Sequence, residues 1–241
     1  MALLSRDFLA RYAVEVAPEL LGCVLEHQTA AGLVAVELTE VEAYAGQSDP
    51  ASHAYHGKTR RNAAMFGPPG HAYVYFTYGM HFCVNLVCLG EDSVSAILLR
   101  AGAIIEGEDL ARARRSVPKP GTERAYVPSR DLARGPARLC QALGIDRSLD
   151  GADVCVPESP LRIRPPQPGL PQGQSPQGQS PQGRSQGTGT STTARSGKIV
   201  SGPRVGVSAA AEVPWRFWFE GEPTVSLYRA HVPRRRKLVT P

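Results

Sequence analysis

The sequence predicts an α+β fold, a single domain in which a mainly antiparallel sheet is surrounded by helices. Three observations support this prediction. Segments with the two-residue alternation of β-strands are clustered along the chain, and few of them are separated by a helical segment, as a parallel sheet would require. The length of 241 residues and the hydrophobic fraction of 42% are also sufficient for one large core.

A helix is predicted first, over residues 5–22. Its apolar side chains recur at helical spacing and would share one face: Phe8, Leu9, Tyr12 and Val16. Ser5 is suited to cap its N-terminus, where a side-chain oxygen accepts a backbone N–H, and Pro18 is expected to end or kink it.

The remaining regular elements follow from alternation, valine content and helical periodicity. Strands are predicted over residues 22–28, 33–46, 72–79, 81–90 and 93–105, with further strands within residues 204–228. Helices are predicted over residues 107–116 and 133–145, the second with Pro136 in its first turn. The polar segment 47–70 is rich in Gly and Pro and is predicted to be a loop.

Residues 166–197 differ in composition from the rest of the chain. The repeats PQGQS, PQGQS and PQGRS occupy residues 171–185, and no large apolar side chain lies between Leu170 and Ile199. Such a segment cannot bury a core, so we predict a disordered insert rich in Pro, Gln, Gly and Ser. A domain boundary is the alternative, but residues 198–232 are too few to fold alone. We therefore predict one domain, formed by residues 1–165 and 198–232, followed by a basic tail at 233–241.

The charge balance is compatible with a nucleic-acid partner but does not require one. Lys and Arg number 27 against 22 Asp and Glu, for a formal charge of +5. No apolar run approaches the roughly 20 residues of a membrane span, and Arg6 and Asp7 interrupt the N-terminal stretch where a signal peptide would be apolar. A cytoplasmic protein that does not enter a membrane is predicted. The five cysteines, with no CxxC pair, are expected to be free thiols.

Several sequence motifs of common enzyme classes are absent. There is no HExxH or paired-cysteine spacing, so we predict no metal site. There is no GxGxxG or GxxxxGK[ST] phosphate loop, so we expect no nucleotide cofactor. No other cofactor is predicted either. GxSxG is also absent, which argues against a hydrolase with a nucleophile elbow.

An aromatic stretch, YVYFTYGM, occupies residues 73–80. With a two-residue period, Tyr73, Tyr75 and Thr77 share one face of the strand, and Val74, Phe76 and Tyr78 share the other. The stretch is either ordinary strand packing or a platform for flat ligands. Basic residues at 58, 60 and 61 lie in the preceding loop, and basic groups interleaved with aromatic rings suit nucleic acid, although a solvated loop would look the same.

A carboxylate lies next to a tyrosine at the end of a predicted strand. Glu42 and Tyr44 are two residues apart in VEAYAG and should point to the same side. Together they could form a base beside a stacking surface, or Glu42 could be a solvated side chain at a strand end.

Six segments occur in an order that resembles a known family: VEAYAG, SHAYHGKTRRNAAMF, YVYFTYGMHFCVN, ILLRA, RGPARLCQALGI and RVGV. Together they resemble the alkyladenine (3-methyladenine) DNA glycosylases, over nearly the whole chain except the insert and the tail. The resemblance implies a single α+β domain that acts as a monomer on double-stranded DNA containing damaged purines. It also implies an enzyme of the bacterial cytosol that excises alkylated or deaminated purines by hydrolysing the N-glycosidic bond.

The resemblance implies a catalytic role for three residues. Glu42 matches the general base that activates the attacking water, and Arg100 and the main-chain carbonyl of Val205 match groups that help to hold that water. No lysine matches a pocket position, so we predict a monofunctional glycosylase without Schiff-base chemistry.

The resemblance also implies how the base is bound. Tyr44, His53 and Tyr75 match the residues that sandwich the base flipped out of the duplex. Tyr78 matches the side chain that intercalates into the gap left in the DNA. Asn85 matches a residue that excludes guanine through its amino group.

Two other functions are compatible with the residues alone. One is a binding module of the same fold that senses damaged bases without cutting the glycosidic bond. A sequence without Glu42 would favour this module, whereas Glu42 is present here. An RNA-binding protein is suggested by the basic charge and the tail only, and it would not depend on Glu42.

Overall fold

An antiparallel sheet forms the centre of the structure, a computed structural model that describes residues 2–77, 79–89, 93–116, 126–166 and 197–232. Its strands are β1 (Val24–Thr29), β2 (Gly32–Tyr44), β3 (Ala72–Thr77), β4 (His81–Cys88), β5 (Ser95–Glu106), β6 (Leu161–Arg164), β7 (Ile199–Gly202) and β8 (Arg216–Phe219). All pairings among these described strands are antiparallel. Together with the surrounding helices, they confirm the predicted α+β class.

The long strand β2 lies at the centre of the sheet. The main order is β3-β4-β5-β2-β1-β6, so β5 runs along one edge of β2. The other edge is shared: β1 pairs with Gly32–Glu37, and β8 pairs further along with Glu40–Glu42. β7 continues the sheet beyond β8. The C-terminal half of β2 is therefore enclosed by β5 and β8.

Helices cover one face of this sheet. They are α1 (Arg6–Leu9), α2 (Ala13–Glu19), α3 (Glu108–Arg115) and α4 (Pro136–Leu143). The main core lies between them and the sheet, with fully buried leucines at 9, 20, 38, 86, 99 and 139. None of the described helices has the length and apolar character that crossing a lipid bilayer requires.

The opposite face of the sheet carries a smaller core beneath the segment 47–70. Tyr73, Val87 and Ala96 pack there with Ala54 and Met65, while their strand neighbours point into the main core. The segment 47–70 was predicted to be a loop, and it contains only two short 3-10 turns, Gly46–Ser48 at its start and Ala63–Phe66. A cleft between this loop and the sheet is the result.

Strand and helix predictions were accurate for β1 to β5 and for α3, within a few residues at each end. α4 begins at Pro136 rather than at residue 133, because Gly135 adopts a φ of 112° that a helix cannot contain. Residues 204–228 form one short strand, β8, and are otherwise irregular, so the prediction of several strands there is wrong. β6 and β7 were not predicted.

The single helix predicted over residues 5–22 is also wrong. Ser5 does cap α1 by accepting a hydrogen bond from the Phe8 amide, as predicted. The chain then leaves the helix, because the Leu9 carbonyl accepts from Leu89 (3.2 Å) and the Ala13 amide donates to the Ser95 hydroxyl (3.2 Å). Tertiary hydrogen bonds replace helical ones at the break, and Pro18 lies inside α2 instead of ending it. The predicted insert, apart from residues 166 and 197, and the whole of the predicted basic tail lie outside the described residues.

Candidate active site

The buried carboxylate of Glu42 is the central group of the cleft. Glu42 lies near the C-terminal end of β2 and has no solvent exposure. Its Oε1 accepts a hydrogen bond from the Val205 amide at 2.7 Å and lies 3.2 Å from Nη1 of Arg100. Its Oε2 accepts from the Tyr44 hydroxyl at 2.8 Å. Since each carboxylate oxygen accepts about two hydrogen bonds, Oε1 is saturated and Oε2 can accept one more.

A second buried carboxylate, Glu40, orients Arg100. Nε of Arg100 donates to Glu40 at 2.8 Å, so the guanidinium bridges two glutamates of the same strand. Glu40 also accepts from Nε of Arg216 (2.7 Å) and from the amide (2.7 Å) and hydroxyl (2.9 Å) of Ser226. Two carboxylates are thus balanced by two guanidiniums in a region withdrawn from water, as buried charges require.

The pKa shifts of Glu40 and Arg100 both favour the charged form of the side chain. Burial alone would raise the pKa of Glu40, but Arg100, Arg216 and the Ser226 amide hold it below its ordinary value. Burial would likewise lower the pKa of Arg100, but Glu42 and Glu40 raise it above its ordinary value. Arg100 therefore stays charged beside Glu42 at any pH at which the fold survives.

Glu40 is expected to make stability depend on pH. Its folded pKa lies below the unfolded value of about 4.3, so its contribution is complete above that value and is lost as the pH falls through the folded pKa. Glu40→Gln should therefore be less stable than the native protein at pH 7, and the difference should shrink as the pH falls through the folded pKa of Glu40. Urea unfolding across this range measures it, with Glu158→Gln at an exposed position as the control. A difference that stays constant with pH would contradict the assignment.

Aromatic side chains form the walls of a cavity of about 460 Å³ next to Glu42. Its volume is within the range of small-molecule sites, roughly 300–1,000 Å³. The residues assigned by resemblance that line it are Tyr44, His53, Tyr75, Asn85, Arg100 and Val205. Glu42 is bound to three of these six residues, Tyr44, Arg100 and Val205. The structure thus brings together seven of the eight site residues that the resemblance implied, all except Tyr78.

His53 and Tyr75 are in contact on one side of the cavity. Their ring centroids are 4.6 Å apart at an interplanar angle of 76°. Nδ1 of His53 lies 3.1 Å from the Tyr73 hydroxyl, a hydrogen bond that holds the imidazole ring in place. Partial desolvation, together with Arg61, lowers the pKa of His53, and burial raises the pKa of Tyr73 to about 12. The imidazole is therefore neutral at physiological pH.

Asn85 lies on β4 opposite Tyr73 and is almost fully buried. Its Nδ2 donates to the Tyr73 carbonyl at 3.3 Å, so the amide that lines the cavity is fixed by the strand pairing. Tyr78 lies outside the described residues. Its neighbours in the β3–β4 hairpin include Gly79, with a φ of 67°, and Met80, which is 69% exposed.

The chain is similar to proteins of a known family. Residues 7–223 match the family model of methylpurine-DNA glycosylase (MPG). The chain belongs to the methylpurine-DNA glycosylase family. It is 50% identical to a protein of Streptomyces avermitilis, covering 97% of this chain and 95% of the relative. It is 46% identical to one of Leifsonia xyli subsp. xyli (94% and 93%) and 44% identical to one of Frankia casuarinae (95% and 93%). All three relatives carry the name "Putative 3-methyladenine DNA glycosylase".

Membership of the methylpurine-DNA glycosylase family confirms the enzyme class that the resemblance implied. The chain is a DNA glycosylase, a hydrolase of base-excision repair whose binding partner is DNA.

Sequence reasoning missed part of this candidate site. Glu40 gave a usable signal, since LTEVEAY places it two residues before Glu42 in a strand, but no role was assigned to it. Its partners Arg216 and Ser226 are 176 and 186 residues away and gave no local signal. The same is true of Arg204, which forms a buried ion pair with Asp49 across 155 residues.

Proposed function

We propose that this glycosylase takes an alkylated or deaminated purine out of duplex DNA into the aromatic cavity and hydrolyses its N-glycosidic bond with a water activated by Glu42. The observation that carries the proposal is the carboxylate itself. It is buried and held by three residues that line the cavity, Tyr44, Arg100 and Val205, and its Oε2 accepts from only one of them, which leaves a second accepting position on that oxygen. A water molecule is the expected occupant of that position.

The chemistry assigned to Glu42 is general-base catalysis. As the bond between N and C1′ breaks, its electron pair leaves with the base, and the water oxygen bonds to C1′ while its proton passes to Oε2. Arg100 and the Val205 amide keep Oε1 engaged, so the carboxylate remains oriented with Oε2 towards the water. The Val205 carbonyl, as a further partner of that water, remains a proposal based on the resemblance.

The cavity walls are suited to a damaged purine. Alkylation at a purine nitrogen often leaves a cationic base, and an aromatic face favours a cation by roughly 0.5–2 kcal/mol. Tyr44 and Tyr75 present such faces, and His53 is neutral and does not repel the cation. A cationic purine is also a good leaving group, so one carboxylate suffices without a strong general acid.

Specificity against normal bases is assigned to Asn85. Its amide lies at the cavity wall and cannot swing away, because Nδ2 donates to the Tyr73 carbonyl. A guanine amino group directed at it would meet another donor. Extrusion of any base costs a few kcal/mol, and we assign to Tyr78 the role of filling the vacated space in the duplex. The neighbouring exposed Met80 supports the hairpin as the element that meets DNA.

The experiment that tests this function is single-turnover base release by the protein as a monomer. Duplexes carrying hypoxanthine or 3-methyladenine should lose the base, and a matched undamaged duplex should not. Tight binding of the damaged duplexes without release would instead indicate a lesion sensor. If the protein neither bound the damaged duplexes nor released a base from them, the proposal would be refuted.

Borohydride trapping is expected to give no covalent protein–DNA adduct during release. Lys58 and Lys198 are exposed, and neither lines the cavity, so no described amine is placed to form a Schiff base. A trapped adduct would contradict hydrolysis by water and would assign a lyase activity to the chain.

A further inference from the structure

Arg204 is a fully buried cation that lies behind one wall of the cavity. It is 1% exposed, does not line the cavity, and its Nη2 donates to Asp49 at 2.9 Å while Nη1 binds the other carboxylate oxygen. Its guanidinium carbon lies 4.7 Å from the centroid of the Tyr44 ring. Tyr44 is therefore in contact with a guanidinium at one side and forms the cavity wall at another.

The ion pair connects this tyrosine to the neighbouring backbone. Nη1 of Arg204 also donates to the Ala43 carbonyl at 3.1 Å, next to Tyr44 in β2. Asp49 accepts from the amides of Ala45 (3.1 Å) and Ala51 (3.0 Å), so it orders the turn that follows β2. Burial would raise the pKa of Asp49, but Arg204 holds it below its ordinary value, so the pair stays charged.

Stability alone is a poor explanation for this arrangement. A buried ion pair loses the hydration of both charges, and apolar residues of similar volume are often as stable or more so. The contact of the guanidinium with the Tyr44 ring is the feature of Arg204 that stability leaves unexplained.

We propose that Arg204, held by Asp49, is a positioning residue that fixes the ring of Tyr44 for the reaction. This inference rests on the proposed function. A rigid planar guanidinium against the ring prevents Tyr44 from tilting away from the cavity. The same restraint keeps the Tyr44 hydroxyl on Oε2 of Glu42, next to the position assigned to the water. One buried cation thereby sets both the stacking surface and the alignment of the general base.

The test compares Arg204→Lys with Arg164→Lys. Lysine keeps the charge opposite Asp49 but lacks the planar face that contacts Tyr44. Arg164 is a matched control because it also forms a buried pair, with Glu26, that joins β6 to β1 and does not line the cavity. Both variants are measured for urea unfolding and for single-turnover release of hypoxanthine. If Arg204→Lys does not fold, the uncharged pair Arg204→Gln with Asp49→Asn replaces it.

A release rate at least about tenfold lower for Arg204→Lys is expected, with a change of less than about twofold for Arg164→Lys. The decisive readout is the same substitution in a Tyr44→Leu background. In the Tyr44→Leu background, Arg204→Lys should lower the release rate no further, because Arg204 acts on the reaction through the Tyr44 ring. The effect of Arg204→Lys on the free energy of unfolding should remain.

Two results would overturn the inference: a folded Arg204→Lys protein with the native rate, or an equal loss of rate with and without Tyr44. A native protein that releases no base in the same series would instead remove the proposed function, and this inference with it.

Discussion

Replacing Glu42 with glutamine is expected to slow base release by roughly 10²–10⁴-fold, the usual contribution of a general base. The amide keeps the shape of the side chain but cannot accept the proton of the attacking water. The binding of a damaged duplex should be nearly unchanged, because the aromatic walls remain in place. Single-turnover release and equilibrium binding, measured on the same duplex, separate these two effects.

The variant is also expected to fold. The glutamine oxygen can replace Oε1 and accept from the Val205 amide and Arg100, while its amino group can donate to the Tyr44 hydroxyl oxygen. Glu106→Gln, at an exposed position on β5, is the matched control and should release base at the native rate. If Glu42→Gln retained the native rate, the base would have to be another group.

Replacing Arg100 with methionine is expected to lower the free energy of unfolding by roughly 3–5 kcal/mol, the usual cost of leaving a buried charge without its partner. Glu40 would keep Arg216, but Glu42 would keep only the uncharged donors of Val205 and Tyr44. Base release should also fall, since no other side chain of β5 is seen to bind that carboxylate among the described residues. Urea unfolding at pH 7 measures the stability change.

The destabilisation expected for Arg100→Met comes from the loss of charge balance rather than from lost packing. A second substitution tests this cause. Glu40→Gln in the Arg100→Met background leaves one carboxylate, Glu42, and one guanidinium, Arg216. The double variant should therefore be more stable than the sum of the single changes predicts, by about 0.5–3 kcal/mol for residues in direct contact. Strict additivity would show that the two side chains contribute independently and would contradict the account of a coupled cluster.

The fold was predictable from the sequence where local patterns are strong. β2 to β5 have long alternating or valine-rich segments, and each appears within a few residues of its predicted bounds. β6 and β7 contain four residues each, too short for a periodic pattern to be recognised. The N-terminal helix is divided because a hydroxyl of β5 binds the amide of Ala13, an effect of tertiary contact that no local spacing reveals.

The site was predictable to a similar extent. The two-residue spacing of Glu42 and Tyr44 correctly placed them on the same side of a strand, and the hydrogen bond between them confirms it. The two faces predicted for YVYFTYGM are likewise present, with Val74 in the main core and Tyr75 at the cavity. Arg100, Val205 and Asn85 came from the resemblance alone. Glu40 and Arg204 received no role, because their importance depends on ion-pair partners distant in the sequence.

The most direct test of the whole account follows an ethenoadenine duplex by its fluorescence after rapid mixing with the native protein and with Glu42→Gln. Ethenoadenine is fluorescent and its emission depends on its surroundings, which differ between the duplex, the cavity and water, so its transfer to the cavity and its later release should give separate phases. Both phases are expected for the native protein and only the first for Glu42→Gln. A release phase of equal rate in the variant, or no early phase in either protein, would contradict it.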